Sequence, residues 1–165
     1  MKKTLVNIAI TALLATSAFS STFASAESTT TIEGLSANVG VVSQYFFRGV
    51  SQTDSASAFA GLDYENGAFS VGIWTADVQD GIEVDLYGSY ALTLGEFDLS
   101  AGFTSYQYTG YFDTAYNEIN LGASYKFVSL AYSIGTHDVD GASDDDYDFL
   151  SITAEYEGFY ATYGT

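Results

Sequence analysis

The chain has 165 residues, with 16 glycines, no proline and no cysteine, and 21 acidic against four basic side chains give it a formal charge of −17. This length suits a single domain, and the lack of cysteine excludes a disulfide framework. The strong negative charge excludes nucleic acids and anionic substrates as partners and favours cations.

The N-terminal residues 1–26 predict a secretory signal peptide. Two lysines precede an apolar run of about fifteen residues, which ends in the small residues Ala24-Ser25-Ala26. Removal of this segment leaves Arg48 and Lys126 as the only strong cations against 21 acidic residues, a formal charge of −19. The chain then divides into a signal peptide (1–26), a polar leader (27–34) and one exported domain (35–165).

Beyond the leader, polar and apolar residues alternate with a period of two. Ile82, Val84 and Leu86 share one parity, whereas Glu83 and Asp85 share the other. Such alternation is typical of strands whose two faces contact different media. It predicts nine strands, at about residues 35–47, 56–64, 68–77, 82–94, 96–107, 116–126, 128–136, 147–156 and 159–164.

The connections between these strands differ in length. Tight hairpins are expected at residues 65–67, 94–96, 127–128 and 157–159, and they alternate with the longer stretches "RGVSQTDSA", "DVQDG", "YTGYFDTAY" and "HDVDGASDDDY". Alternating short and long turns, with strands of about ten residues, indicate an all-β fold: an antiparallel up-and-down transmembrane β-barrel. Because nine is an odd count and an open edge in lipid leaves backbone groups unpaired, we expect an incomplete barrel that lacks C-terminal strands.

Aromatic residues cluster near the ends of the predicted strands. Two belts of rings at the two membrane interfaces are typical of outer-membrane barrels. The sequence predicts one belt next to the long loops and a second next to the short turns. The girdle residues are Tyr45, Phe46, Phe47, Trp74 and Tyr106 at the first level and Tyr125 and Phe127 at the second.

The stretches "VSQYFFRGVSQTD", "GLDYENGAFSVGIWTADV" and "EVDLYGSY" carry a family resemblance over residues 36–90. They resemble the N-terminal part of the TorF-family porins, which implies an outer-membrane channel whose solute is generally unassigned. The chain departs from the family pattern at Ser57 and Ala60, where relatives tend to carry proline and glutamine, and members are usually longer. The matching residues are Ser43, Tyr45, Phe47, Arg48, Gly49, Ser51, Gln52, Thr53, Gly61, Tyr64, Gly72, Trp74, Glu83, Asp85, Tyr87, Gly88 and Tyr90.

Arg48 is the only arginine in the chain. Its parity on the first strand, opposite to that of Val41 and Tyr45, predicts that it points into the lumen near the outer mouth. There it can form bidentate pairs that hold the wall rigid, or it can act as a selectivity charge in the pore. Both roles stay open. The predicted lumen and selectivity set is Arg48, Glu83, Asp85, Glu118, Lys126 and Glu155.

An acidic loop follows the sole histidine, His137. Its carboxylates suit a divalent cation such as calcium, although their spacing is not that of an EF-hand and a solvated loop is the plainer interpretation. His137 lacks a recognisable catalytic setting, so we expect no enzyme activity and no cofactor. The candidate loop residues are Asp138, Asp140, Asp144, Asp145 and Asp146.

These features predict a porin of a Gram-negative outer membrane. Small polar or cationic solutes would diffuse through its acidic lumen, and its partners would be membrane lipid and lipopolysaccharide. Two alternatives stay open: a non-conducting barrel with an adhesive or structural role in the envelope, and a soluble periplasmic ligand-binding barrel. The second alternative would require an apolar interior and a polar exterior.

Overall fold

The computed structural model describes residues 32–165, and the predicted signal peptide and the first residues of the polar leader lie outside that range. All regular structure in residues 32–165 is β. The strands are β1 (Leu35–Val42), β2 (Phe46–Phe47), β3 (Val50–Ser51), β4 (Ser57–Asn66), β5 (Phe69–Val78), β6 (Gly81–Leu94), β7 (Phe97–Tyr108), β8 (Tyr116–Tyr125), β9 (Val128–His137), β10 (Asp145–Tyr156) and β11 (Phe159–Gly164).

Nine of these strands form one antiparallel sheet in the order β1-β4-β5-β6-β7-β8-β9-β10-β11. Each strand therefore pairs with its neighbour in the chain, and the short β2 and β3 form a separate hairpin between β1 and β4. The prediction of an all-β, antiparallel up-and-down fold with nine main strands is confirmed. The sheet is open, because β1 and β11 do not pair with each other within the described residues.

The two ends of the sheet carry different connections. At one end, called here the short-turn end, four two-residue turns occupy residues 67–68, 95–96, 126–127 and 157–158. Positive φ angles at Gly67, Gly95, Lys126 and Glu157 give these turns the twist that tight hairpins require. The opposite, long-loop end carries residues 43–56, 109–115 and 138–144. The "DVQDG" stretch was wrongly expected to form a long loop, since β5 and β6 are joined by only two residues, 79–80.

The alternation of side chains gives the sheet an inner and an outer face. On β6, Glu83 and Asp85 are buried on the inner face, whereas Ile82, Leu86 and Tyr90 are exposed on the outer face. The neighbouring strands continue this division, because their register places like faces side by side. Exposed aliphatic residues cover the outer face: Val39, Val41, Leu62, Val71, Ile73, Leu86, Leu92, Ile119, Leu121, Leu130, Ile134, Leu150 and Ile152.

The first predicted strand was too long. It ends at Val42 rather than near residue 47, and the chain then turns over the inner face of the sheet. Three aromatic residues follow in succession at 45–47, which cannot all take one face of an alternating strand. Residues 43–56, which include β2 and β3, are called here the inner hairpin.

The small hydrophobic core lies between the inner hairpin and the long-loop end of the sheet. It consists of Val42, Tyr45, Ala76 and Val78, with rings packed around it. No helix in residues 32–165 has the length and hydrophobicity needed to cross a membrane.

Candidate functional site

The inner hairpin is held in place by hydrogen bonds along its length. The amide nitrogen of Tyr45 donates to Thr53 Oγ1 (3.0 Å), and the Gln44 side chain donates to the carbonyl of Thr53 (2.9 Å). The amide of Gln79, in the β5–β6 turn, donates to the carbonyl of Gln52 (3.0 Å). These bonds fix the hairpin to itself and to the sheet, so its tip has a defined position on the inner face.

Arg48 occupies that tip. Its φ of 49° and the φ of 83° at Gly49 place both residues in the left-handed region, which a two-residue turn between β2 and β3 requires. Left-handed geometry is uncommon for a residue other than glycine and persists where surrounding contacts determine it. The contacts of the Arg48 guanidinium hold its backbone in this left-handed conformation.

The guanidinium of Arg48 forms a bidentate pair with Glu118 on β8. Nη1 donates to Oε1 (2.5 Å) and Nη2 donates to Oε2 (3.0 Å), while Nη2 also donates to Ser133 Oγ on β9 (3.0 Å). The rings of Phe47 and Phe149 lie 4.7 and 4.6 Å from the guanidinium carbon. Burial alone would lower the pKa of Arg48, but the hydrogen bonds and charge of Glu118 outweigh it, so the pKa is raised.

Glu118 has further partners on the neighbouring strands. The Tyr106 hydroxyl donates to its Oε2 (3.2 Å), and the Tyr147 hydroxyl donates to its Oε1 (2.8 Å). Ser133 Oγ in turn donates to the Asn120 side chain (2.7 Å). Because the Glu118 side chain is fully buried, these donors and Arg48 replace the water that a carboxylate otherwise binds.

A second polar contact joins the inner hairpin to β6. The Tyr45 hydroxyl donates to Glu83 Oε1 (2.9 Å), and the Tyr45 ring packs edge-on against Trp74 on β5. Burial and the nearby charges of Glu83 and Asp85 raise the pKa of Tyr45, so its hydroxyl stays protonated and remains a donor. The hairpin thus contacts two buried carboxylates, Glu83 through Tyr45 and Glu118 through Arg48.

An open cavity of about 1400 Å³ lies on the inner face between the hairpin tip and the short-turn end. Phe46, Arg48 and Gly49 border it on the hairpin side. Its wall is formed mainly by hydroxyl-bearing and small residues, and the acidic residues Glu65, Asp98 and Glu155 stand nearer the short turns. The serines and threonines of the wall are Ser70, Ser89, Thr93, Ser100, Ser124, Ser129, Ser133, Ser151, Thr153 and Thr162.

The structure brings together some of the residues expected in the lumen and separates others. Arg48, Glu83, Asp85 and Glu118 all lie on the inner face at the long-loop end, although Arg48 reaches it from a turn and not from the first strand. Lys126 does not line this face: it lies in the exposed β8–β9 turn, with its Nζ 4.7 Å from the Tyr125 ring.

The predicted aromatic girdle is wrong for the five residues near the long loops. Tyr45 and Tyr106 are buried on the inner face, Phe47 packs edge-on against Tyr106, and Trp74 packs against Tyr45. Phe46 borders the inner cavity. The rings near the short turns do lie exposed on the outer side of the sheet or in its turns: Tyr64, Phe69, Phe97, Tyr125, Phe127, Tyr156 and Phe159.

The structure gives one observation on the acidic loop that was expected to bind calcium. In residues 32–165, no three aspartate, glutamate, histidine or cysteine side chains are grouped so that they could hold a metal ion. Asp145 and Asp146 are successive residues of β10 and therefore point to opposite faces. Calcium binding by Asp138, Asp140, Asp144, Asp145 and Asp146 stays a prediction.

His137 has polar neighbours, but they do not form a catalytic triad. Its Nε2 lies 2.8 Å from Thr114 Oγ1 and 3.1 Å from Asp113 Oδ1, and the ring stacks on Tyr116 with centroids 3.9 Å apart. A triad needs the hydroxyl and the carboxylate on different nitrogens of the histidine ring. Here both contact the same nitrogen, and Thr114 also donates to the carbonyl of Asp138.

Reasoning from the sequence missed several residues of this site. Tyr147, Ser133 and Phe149, which surround the Arg48–Glu118 pair, were not singled out as partners. A signal was present, because Tyr147 and Phe149 share one parity on β10 and alternate with Asp146 and Asp148. The assumption that aromatic rings face lipid concealed it.

Comparison with known proteins gives one family and no individual relative. No curated protein and no solved structure matches the sequence. Residues 24–163 match a family whose description is "Bacterial protein of unknown function (Gcw_chp)". The match includes every strand except the last residue of β11, and it includes the inner hairpin and its contacts. The chain therefore belongs to this bacterial family of unknown function.

Proposed function

We propose that this chain forms the wall of an outer-membrane β-barrel through which small polar or cationic solutes pass by diffusion. The observation that carries the proposal is the division of one sheet into an apolar outer face and a polar inner face. A soluble ligand-binding barrel has the opposite arrangement, with an apolar interior and a polar exterior.

The outer face has the features of a surface in contact with lipid. Exposed Leu86, Leu121 and Ile152 belong to an aliphatic band that no other part of residues 32–165 covers. Exposed rings lie between this band and the short turns, where amphipathic side chains favour the membrane interface. The chain turns polar on the outer face towards the long loops, at Ser105 and Asn117, which hydrogen-bond to each other (2.8 Å).

The inner face has the features of a water-filled path. Hydroxyl groups line the cavity of about 1400 Å³, and apart from Arg48 at the hairpin side its charged residues are acidic: Glu65, Asp98 and Glu155. Hydroxyls can replace part of the hydration shell of a polar solute, and a ring of carboxylates favours cations. The resemblance of residues 36–90 to TorF-family porins supports the same function, as does the predicted signal peptide.

Arg48 is the residue that would restrict this path. It borders the cavity on the hairpin side, and it is the only cation on the inner face among the described residues. Its pair with Glu118 anchors the hairpin tip. Arg48 would therefore both stabilise the barrel wall and place a positive charge beside the path of the solute.

A barrel in lipid must also pair its edges. β1 and β11 each have one strand neighbour in the described residues, and an unpaired edge in hydrocarbon costs several kcal/mol for each exposed backbone group. The proposal therefore requires that additional strands join the β1 and β11 edges in the membrane.

A second function is favoured by one observation. The inner hairpin buries Val42 and Tyr45 against Ala76 and Val78, which fills the long-loop end of the inner face with a packed core. Such packing is what a non-conducting barrel with a structural or adhesive role requires. A barrel closed by the hairpin would conduct only after the hairpin is deleted. A porin would conduct with the hairpin in place.

Conductance separates these functions. The purified protein is inserted into planar bilayers, and its conductance is compared with that of a variant lacking residues 44–53. Steps of conductance from the wild-type protein that select cations support the porin. Steps that occur only after the deletion indicate a closed barrel. A protein that stays dissolved without detergent and does not bind vesicles contradicts both.

A further inference from the structure

The inner face at the long-loop end holds more negative charge than its one arginine can balance. Glu83, Asp85 and Glu118 are all buried there, and Arg48 pairs with Glu118. Lys126, the other strong cation in residues 32–165, lies in a turn at the opposite end of the sheet. Glu83 and Asp85 are therefore left without a cationic partner, and burial of unpaired carboxylates is strongly unfavourable.

These two carboxyl groups lie side by side. They are two residues apart on β6, so both side chains lie on the inner face of the sheet. Glu83, only 1% exposed, accepts a hydrogen bond from Tyr45, whose ring covers the pair from the inner hairpin. Trp74 and Tyr106 stand beside Asp85 in the registers of β5 and β7.

One oxygen of this pair has no partner. Asp85 is 8% exposed, and its Oδ1 is the one buried side-chain nitrogen or oxygen in the described residues without a hydrogen bond. A buried polar atom in a folded protein is nearly always paired, so an unpaired carboxylate oxygen beside a second carboxylate calls for a ligand. A carboxylate oxygen is a hard, negatively charged ligand, which hard cations prefer.

We propose that Glu83 and Asp85 together bind one divalent metal cation, with calcium the best match, beneath Tyr45 of the inner hairpin. Two carboxylates neutralise one divalent charge, and calcium accepts oxygen ligands in irregular geometry more readily than magnesium does. Because no third acidic or histidine side chain joins the group in residues 32–165, hydroxyl or water oxygens complete the coordination. The affinity is therefore weak, with a Kd of about 10⁻⁴–10⁻³ M.

Trp74 offers a direct test, because it is the only tryptophan in the chain and is the register partner of Asp85. Terbium replaces calcium at oxygen sites and emits when a neighbouring indole is excited. We expect terbium emission from the purified protein in detergent, with displacement by millimolar calcium. Asp85→Asn and Glu83→Gln, which keep the side-chain shape, should each weaken terbium binding at least about tenfold.

Two control variants locate the ion. Asp144→Asn, in the acidic loop, should leave both the emission and its displacement by calcium unchanged. Trp74→Phe should abolish the emission but keep the calcium-dependent rise in the unfolding temperature, because the carboxylates remain. The unfolding temperature therefore distinguishes loss of the bound ion from loss of the indole that excites terbium.

Three results would overturn the proposal. The first is wild-type protein without terbium emission and without a calcium-dependent change in unfolding temperature. The second is emission that survives Asp85→Asn and Glu83→Gln but disappears in Asp144→Asn, which assigns the ion to the outer loop. The third is that Asp85→Asn and Glu83→Gln both stabilise the protein, by the same amount with and without a chelator. That result would mean that the two carboxyl groups share a proton and bind no metal.

Discussion

Arg48 and Glu118 lie 70 residues apart in the sequence and are joined on the inner face by two parallel hydrogen bonds of 2.5 and 3.0 Å. The pair links the tip of the inner hairpin to β8, the sixth of the nine strands in the order of the sheet. The arginine side chain is 18% exposed and that of the glutamate is fully buried, so solvent screens the interaction little.

Loss of Arg48 should therefore destabilise the protein strongly. Arg48→Ala leaves the Glu118 carboxylate buried and without its cation, which costs about 3–5 kcal/mol of unfolding free energy. Urea unfolding followed by Trp74 fluorescence measures the change. Adding Glu118→Gln to Arg48→Ala should recover part of the loss, because a neutral amide replaces the unpaired charge.

Lys126→Ala is the matched control, since it removes the other strong cation from an exposed turn. We expect a change of no more than about 0.5 kcal/mol. Equal effects of Arg48→Ala and Lys126→Ala would mean that the pair with Glu118 contributes nothing to the fold.

Tyr45→Phe removes one hydroxyl and keeps the ring. The lost hydrogen bond to Glu83 involves a buried carboxylate, so the unfolding free energy should fall by about 1.5–3 kcal/mol. Tyr111→Phe serves as control, because Tyr111 is 94% exposed and should tolerate the change. A loss of equal size in both variants would show that the effect does not come from the contact with Glu83.

Tyr45 also gives a pH dependence of defined sign. Its pKa is raised in the folded protein from the usual 10.0, chiefly by burial, so above pH 10 the unfolded chain loses this proton while the folded chain keeps it. The contribution of the hydroxyl is complete below pH 10 and declines above it by about 1.4 kcal/mol per pH unit. The stability difference between the wild type and Tyr45→Phe should therefore shrink between pH 10 and 11. A constant difference contradicts the raised pKa.

The strands of the main sheet could be predicted from the sequence because their two faces contact different surroundings. On β6, the alternation of Ile82, Glu83, Val84 and Asp85 determines which side chains turn inward, and the two-residue turns then set the register of each hairpin. The inner positions of Glu83, Asp85 and Glu118 follow from this local pattern alone.

The inner hairpin could not be predicted in the same way. No glycine or proline marks the end of β1 at Val42. The turn is held by two hydrogen bonds: the Gln44 side chain donates to the Thr53 carbonyl, and the Tyr45 amide donates to the Thr53 hydroxyl. Arg48 then meets Glu118 through contacts across the face of the sheet, which sequence spacing does not encode. Trp74 and Tyr106 are register partners of the inward Asp85, so alternation turns them inward, but the rings that they pack against come from the hairpin.

A series of arginine substitutions along β8 tests whether the outer face contacts lipid. Leu121 lies in the aliphatic band, whereas Asn117 lies on the same face near the long loops. Leu121→Arg should cost about 2–4 kcal/mol and Asn117→Arg about 0–1 kcal/mol, since the penalty for a charge depends on depth in the bilayer. Unfolding by urea from lipid vesicles measures both. Equal costs at the two positions would argue against a membrane.

A bulky side chain inside the cavity tests whether solutes pass along the inner face. Ala131 lies on the inner wall, and its register partners Gly122 and Ser151 are small, so Ala131→Phe can place its ring in the open space. Uptake of small polar solutes by vesicles that carry the protein should slow, because the path is narrower. Ala101→Phe adds the same ring to the exposed outer face and should leave uptake unchanged. If both variants, folded to the same extent, transport at the wild-type rate, the cavity is not the route and the non-conducting barrel becomes the better description.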